Sequence, residues 1–384
     1  MSLRLVLCCL AGLFILSDSL AVPANPAFAI YQQPDGTFFE ARIRGDELFN
    51  WHETLTGYPI ELQPKTAWWV YRHPPDVTNM TTLIVGRDEP PGEPWTPEEP
   101  PAVRQRMQRA TLDASSIIPV VTKRGVRSTG GAGSAKLLTA CVRFSDSPAA
   151  GSLTPVSYFQ QMIYGRTSDR RTVTDYYQEV SGGKLAITGE VFGWLNLPGT
   201  TADYGGNDGN SFSLPRFLNL VSNTVQAMRA NGVNFGDYDA DLDGFVDCLA
   251  VVFQGLGEAD GGSANTIWPH QYTYSELKGA AAGSAGLPTG SVNANGQPVF
   301  VDLYFTASEL NRNSSNMAVS VSAPIGTFCH EFAHALGMPD FYDQVAPVSR
   351  GLGEWSLMAF GTYANGYGQA GDCPTWIDPY NRIK

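Results

Sequence analysis

Apolar and polar side chains alternate along residues 37–43, the period-two pattern of a half-buried strand. Pro34, Asp35 and Gly36 place a turn before it, and residues 67–71 form a second, aromatic run. Residues 22 to about 90 therefore predict a small β-rich unit. Further along, the pattern changes character. Residues 135–144 and 245–253 are unbroken apolar runs, as expected of strands covered on both faces. Residues 185–191 predict another strand. Residues 171–181 carry Val173, Tyr176, Tyr177 and Val180 on one side and close on Gly182 and Gly183, which predicts a helix, and residues 214–230 predict a longer one. Strands alternating with helices imply an α/β (α+β) domain on a mixed sheet.

Between the two regions, residues 89–101 are rich in Pro and Glu, a stiff linker. Residues 104–113 predict a short helix, and the basic pair Lys123 and Arg124 precedes a Gly/Ser-rich, flexible stretch at 128–134. The main boundary is placed there, giving an N-terminal unit at 22–134 and a larger unit at 135–384. Ahead of both, Arg4 leads an uncharged stretch at 5–16 that is too short to span a bilayer. Ser19 and Ala21 stand at the −3 and −1 positions of a cleavage site, so residues 1–21 predict a secretory signal peptide and an extracellular protein. Four cysteines lie beyond the leader, and the sequence selects none of their three pairings. The formal charge of −12 opposes binding to phosphate backbones. Nucleic acid is not expected as a partner, and no later segment is apolar enough to insert in a membrane.

Chemistry concentrates at His330, Glu331, Phe332, Ala333 and His334, which spell H-E-x-x-H in a chain with five His. On a helix, positions i and i+4 share one face, so both imidazoles reach one metal and Glu331 is placed as general base beside a metal-bound water. Gly337 and Pro339 then turn the chain back and bring Asp340 toward the same ion, completing three zinc ligands with a fourth position open. Asp343 and Glu354 are the rival third ligands. A second constellation, Asp239, Asp241, Asp243, Gly244, Phe245 and Asp247, matches positions 1, 3, 5, 6, 7 and 9 of a calcium loop, with Phe245 contributing its carbonyl. Ala250 stands where such a loop has its last acid.

The run GTFCHEFAHALGMPDFYD at 326–343 and the later Ser356, Leu357 and Met358 resemble the secreted metallopeptidases related to immune inhibitor A, within the metzincin group. So do residues 376–384, 33–71, 176–184, the Asp-rich loop and Trp268, Pro269 and His270. The resemblance implies a metzincin-like catalytic domain in which Met358 forms the Met-turn beneath the zinc, and a family pattern that continues past Lys384. Metzincins with a Tyr two residues after this Met have Phe360 here, leaving Tyr363 and His270 as candidates to stabilise the oxyanion. The expected activity is a secreted zinc endopeptidase acting on proteins or peptides. The alternative is a non-catalytic surface or matrix-binding protein with a vestigial metal site. The N-terminal unit is expected to be a propeptide, and Asp46, after Arg44 and Gly45, is similar to the F-x-G-D latency switch of astacin propeptides, with Ile43 in place of Phe.

Overall fold

The computed structural model describes residues 20–47, 49–63, 65–74, 82–98, 128–129, 132–148, 150–166, 171–207, 213–280, 286–344 and 349–383. After a two-residue strand β1 (Leu20–Ala21), strands β2 (Ala29–Gln32), β3 (Phe38–Gly45), β4 (Asn50–Thr54), β5 (Pro59–Leu62) and β6 (Trp69–Tyr71) form an antiparallel meander in chain order. In β3 Phe39, Ala41 and Ile43 are buried while Phe38 and Glu40 face solvent, so the alternation in the sequence becomes the two faces of a sheet. Buried Gln33 ties its ends: Nε2 donates to Trp69 O and Val85 O at 2.9 and 2.8 Å. The predicted helix at 104–113 and the basic pair at 123–124 lie outside the described residues.

The second sheet contains β7 (Ser128–Thr129), β8 (Ala132–Arg143), β9 (Leu185–Asn196), β10 (Cys248–Leu256) and β11 (His270–Thr273). A hairpin of β12 (Leu287–Val292) and β13 (Pro298–Val301) precedes its remaining strands β14 (Leu303–Asn313) and β15 (Asn316–Ser322). Strands β9, β8, β10 and β14 are parallel neighbours; β11 runs antiparallel to β14, and β1 adds antiparallel to β11. Because parallel strands are covered on both faces, β10 sends Cys248, Ala250 and Val252 into one core and Leu249, Val251 and Phe253 into the other. Helices α1 (Val156–Tyr164), α2 (Val173–Val180) and α4 (Ile325–Ala335) cover the first face. Helix α3 (Leu214–Ala230) covers the second through Phe217, Leu220, Val221 and Val225. The expected strand at 245–253 is shifted to Cys248–Leu256, because Val246 N and Asp247 N are already bonded to Phe300 O and Tyr238 O in the preceding loop.

Helix α4 is buried along all 11 residues. Phe328 and Phe332, four apart, pack edge-on against Phe305 and Tyr177, with ring centroids 4.8 and 5.0 Å away, and each contributes about 1.5–3 kcal/mol by burial. At its start Gly326 N donates to Gly371 O at 2.9 Å. A Cβ at Gly326 would collide with Thr362 O and lie 2.8 Å from Gly371 Cα, both backbone and unable to yield cheaply. Gly326→Ala is expected to lower stability by about 2–3 kcal/mol, read from the urea midpoint; an unchanged midpoint would show that the 362–371 loop is free to retreat. Cys141, Cys248, Cys329 and Cys373 carry free thiols and form no disulfide. Among the described residues no helix is long and apolar enough to cross a membrane.

Candidate metal centre and cleft

Helix α4 ends as its sequence predicts. Gly337 has φ +88°, and Gly337 N and Met338 N donate to His334 O and Ala333 O at 2.8 and 3.1 Å, the double bond of a glycine-terminated helix. The reversal carries Asp340 back over the helix. Its Oδ1 lies 3.1 Å from His330 Nε2 and 3.3 Å from His334 Nε2, and the two Nε2 atoms are 3.0 Å apart. Each imidazole donates through Nδ1 to a carbonyl, His330 to Leu357 O and His334 to Met338 O, both at 2.8 Å. A carbonyl can only accept, so Nδ1 carries the hydrogen and both Nε2 lone pairs face Asp340.

Three acceptor atoms thus converge in a fully buried space, a repulsive arrangement that a cation resolves. A tetrahedral zinc with ligands at about 2.0–2.2 Å holds them about 3.3–3.6 Å apart, close to the spacing found. Asp340 Oδ1 and Glu331 Oε2 are buried without a hydrogen-bond partner, which fits a metal and its water on that side. Burial, then the Asp340 carboxylate, pushes Glu331 well above the usual carboxylate range. Burial depresses His334.

Of the rival ligands, Glu354 is largely exposed and pairs with Arg350 at 3.3 Å, so it is not at the metal. Asp343 lines a cavity of about 120 Å³ with Arg42, Arg44 and Arg350, outside the donor cluster. Next to Leu357, whose carbonyl accepts from His330, Met358 is fully buried and its own carbonyl accepts from Phe341 N at 2.7 Å. The Ser356 hydroxyl fixes that turn by accepting from Met358 N and donating to Asp378 Oδ2. The two oxyanion candidates part here. His270 has both ring nitrogens engaged, with Trp268 O at 2.7 Å and Tyr304 Oη at 3.0 Å, and stacks on Phe217. Burial holds it near pKa 3, and it has no donor to offer an oxyanion. Tyr363 Oη donates to Pro23 O at 2.8 Å.

That last contact belongs to a feature the sequence did not disclose: residues 20–25 run through the cleft. Leu20 and Ala21 pair with Gln271 and His270 of the sheet-edge strand β11. Val22 N donates to Glu331 Oε1 at 3.0 Å, Tyr342 Oη donates to Ala21 O at 2.6 Å, and Trp268 Nε1 donates to Val22 O at 2.8 Å. Beyond Pro23, Asn25 N donates to Ala259 O at 2.8 Å and Asn25 Nδ2 to Asp260 Oδ1 at 3.1 Å. Ala21, Val22 and Ala24 share an apolar cluster with Ile43, Ala259 and Trp268, which ties the meander to the cleft. The Asp46 carboxylate accepts from Phe49 N at 3.1 Å within its own turn, and its charge also reaches Tyr342. Its neighbour Glu47, also buried, is a second acid, after Asp340, whose charge reaches Glu331.

In the acidic loop the carboxylates of Asp239, Asp241 and Asp247 come within 4.8 Å of one another. Gly244, at φ +88°, makes the sharp turn required at the sixth loop position. The Asp243 carboxylate accepts from Phe245 N at 2.9 Å and is not in that cluster. Burial, with the Asp241 and Asp239 charges adding to it, raises Asp247 to about 6.

A family model described as the catalytic domain of the immune inhibitor A peptidase M6 family matches residues 152–383, a span that holds α4, Asp340, the Met358 turn and the acidic loop. The chain is 29% identical over 255 residues to immune inhibitor A of Bacillus thuringiensis subsp. alesti, covering 59% of this chain and 34% of the relative. It is 28% identical over 218 residues to the pre-pro-metalloprotease PrtV of Vibrio cholerae serotype O1 (strain M66-2), covering 51% of this chain and 22% of the relative. The chain therefore matches about a third or less of the length of these curated relatives.

Proposed function

The chain belongs to the immune inhibitor A peptidase M6 family, and from that premise we propose that it is an exported, zinc-dependent endopeptidase of metzincin type, made in a latent form. The observation that carries the reading is the convergence of His330 Nε2, His334 Nε2 and Asp340 Oδ1 beside the Glu331 carboxylate. Zinc bound there supplies a Lewis acid that polarises the scissile carbonyl and acidifies water. Glu331 accepts the proton of the attacking water and returns it to the leaving amine. The buried Met358 turn supports the histidine that bonds to it. Metal analysis together with an unbiased peptide-library digest tests this. A zinc-loaded, proteolytically processed chain that cleaves no peptide would overturn it.

The latent form is supported by the segment 20–25, which lies where a substrate would. We take residues 1–21 as a leader and 22–134 as a propeptide. Removal of the leader after Ala21 would make the Val22 nitrogen an ammonium group 3.0 Å from Glu331, strengthening that contact by charge. N-terminal sequencing of the secreted protein checks the point, and a start elsewhere than Val22 would remove it.

Calcium is proposed for the acidic loop, with Asp239, Asp241 and Asp247 as side-chain ligands. A ligand that binds only the folded chain raises its stability, so calcium is expected to raise the melting temperature of metal-stripped protein, and Asp241→Ala to cancel the rise. Asp247 is raised from 3.8 to about 6 in the fold. Without a cation, the stability it contributes is full below about pH 3.8 and is lost as pH rises through about 6. The calcium-induced shift should therefore be larger at pH 7 than at pH 5. Equal curves with and without calcium at pH 7 would reject the site.

A further inference from the structure

The carbonyl oxygen that gains charge during peptide hydrolysis needs a hydrogen-bond donor, and neither Phe360 nor His270 supplies one. We infer that Tyr342 is that donor: its hydroxyl stabilises the oxyanion of the scissile carbonyl. The inference rests on the peptidase reading above and extends it to a residue beyond the zinc motif.

Segment 20–25 is a peptide lying across the centre, and its register identifies the bond that stands in for the scissile one. It adds antiparallel to the sheet-edge strand β11 through Ala21 and His270. Its Val22 N–H points at Glu331 Oε1, 3.0 Å away, where the amide nitrogen that leaves must meet the base that protonates it. The bond from Ala21 to Val22 therefore occupies the reaction position, and the Ala21 carbonyl corresponds to the one under attack. Tyr342 Oη donates to that oxygen at 2.6 Å. Tyr363 meets the carbonyl two residues on, at Pro23, and Trp268 the one between, at Val22. These two hold the main chain on the leaving side, and Tyr342 alone of the three touches the reacting carbonyl.

The placement arises from the sequence around the third ligand. Asp340 is drawn to the histidines, and two residues later Tyr342 projects over the cleft. Gln344 Nε2 lies 3.1 Å from Asp340 Oδ2 and 3.5 Å from Tyr342 Oη, so it sits between acid and phenol. Phe360, two residues after Met358, packs edge-on to the Tyr342 ring with centroids 6.3 Å apart. It buttresses the phenol instead of supplying one.

The test is Tyr342→Phe in the full chain, loaded with zinc and followed before and after limited proteolysis. Zinc content and melting temperature are expected to match the parent, since the ring and its packing remain. The expected kinetic result is a fall in kcat of about 10²–10³-fold with KM changed little. A phosphinic peptide, whose tetrahedral phosphorus bears the charged oxygen, should bind the variant by calorimetry with Kd raised by a similar factor. The same peptide sequence with an ordinary amide should bind a Glu331→Ala background and its Tyr342→Phe derivative within about threefold of each other. An active parent whose variant keeps kcat and phosphinic affinity would overturn the role of Tyr342 and leave the peptidase reading intact. A processed, zinc-loaded parent that neither hydrolyses peptides nor binds the phosphinic peptide would overturn the reading and this assignment with it.

Discussion

Glu331→Ala is expected to abolish peptide hydrolysis while zinc stays bound. Glu331 is fully buried, yet it stands apart from the donor cluster of His330, His334 and Asp340. Its Oε1 faces an amide nitrogen and its Oε2 has no hydrogen-bond partner, the two positions a base needs to take a proton from water and deliver it to a leaving amine. Removing such a base costs about 10²–10⁴-fold in rate, or about 3–5 kcal/mol of barrier. Glu331→Gln keeps the volume and the bond to the main chain but cannot carry the proton, so it should lose activity to the same extent. Rate on a peptide substrate and zinc per chain by mass spectrometry are the measurements. Loss of zinc along with activity would move Glu331 among the ligands.

How much of this centre is legible in the sequence depends on how local each feature is. The spacing of His330 and His334 fixes their common face once a helix forms, and Gly337 with Pro339 fixes the reversal that returns Asp340. Every step there spans fewer than a dozen residues. The runs at 135–144 and 245–253 are legible for a similar reason, since a strand covered on both faces needs apolar residues at every position. Strand β14 carries no such mark. It buries Thr306, Ser308 and Glu309, and Glu309 is satisfied by Thr154 N and Gly255 N at 2.6 and 2.8 Å, 155 and 54 positions away. Polar groups that find partners so far off leave no period in the sequence.

The cleft segment shows the same limit more sharply. Leu20 and Ala21 read as the end of a leader and Val22 as the first residue of the next unit, while their partners at His270, Glu331 and Tyr342 lie hundreds of residues on. Tyr342 stands inside the most informative run of the chain, but nothing in a tyrosine two positions past an acid says where its hydroxyl points. Asp46 shows how a short motif and its local surroundings overlap. Its carboxylate accepts from the nearby Phe49 N, as short acidic side chains in turns commonly do, while its charge also reaches Tyr342.

Latency is the second large effect expected. The uncleaved, zinc-loaded chain should be nearly inactive, and activity should rise as limited proteolysis cuts between about residues 123 and 134. The contacts give the scale. Val22 N, Val22 O and Pro23 O, which remain once a leader ending at Ala21 is gone, are each bonded to a cleft side chain, at about 0.5–1.5 kcal/mol net per bond. Together they favour the occupied cleft by about 1.5–4.5 kcal/mol, enough to suppress turnover at least about 10-fold. A tethered segment at an effective concentration of about millimolar also outcompetes substrates present at micromolar levels. Two variants separate the strand from the carboxylate as the cause. Deleting residues 22–25 should release activity without any cut, whereas Asp46→Ala should stay latent, because the strand's main chain makes the bonds to Glu331, Trp268 and Tyr363. The reverse pattern would return the switch to Asp46, and full activity in the intact, uncut parent would end the zymogen reading altogether.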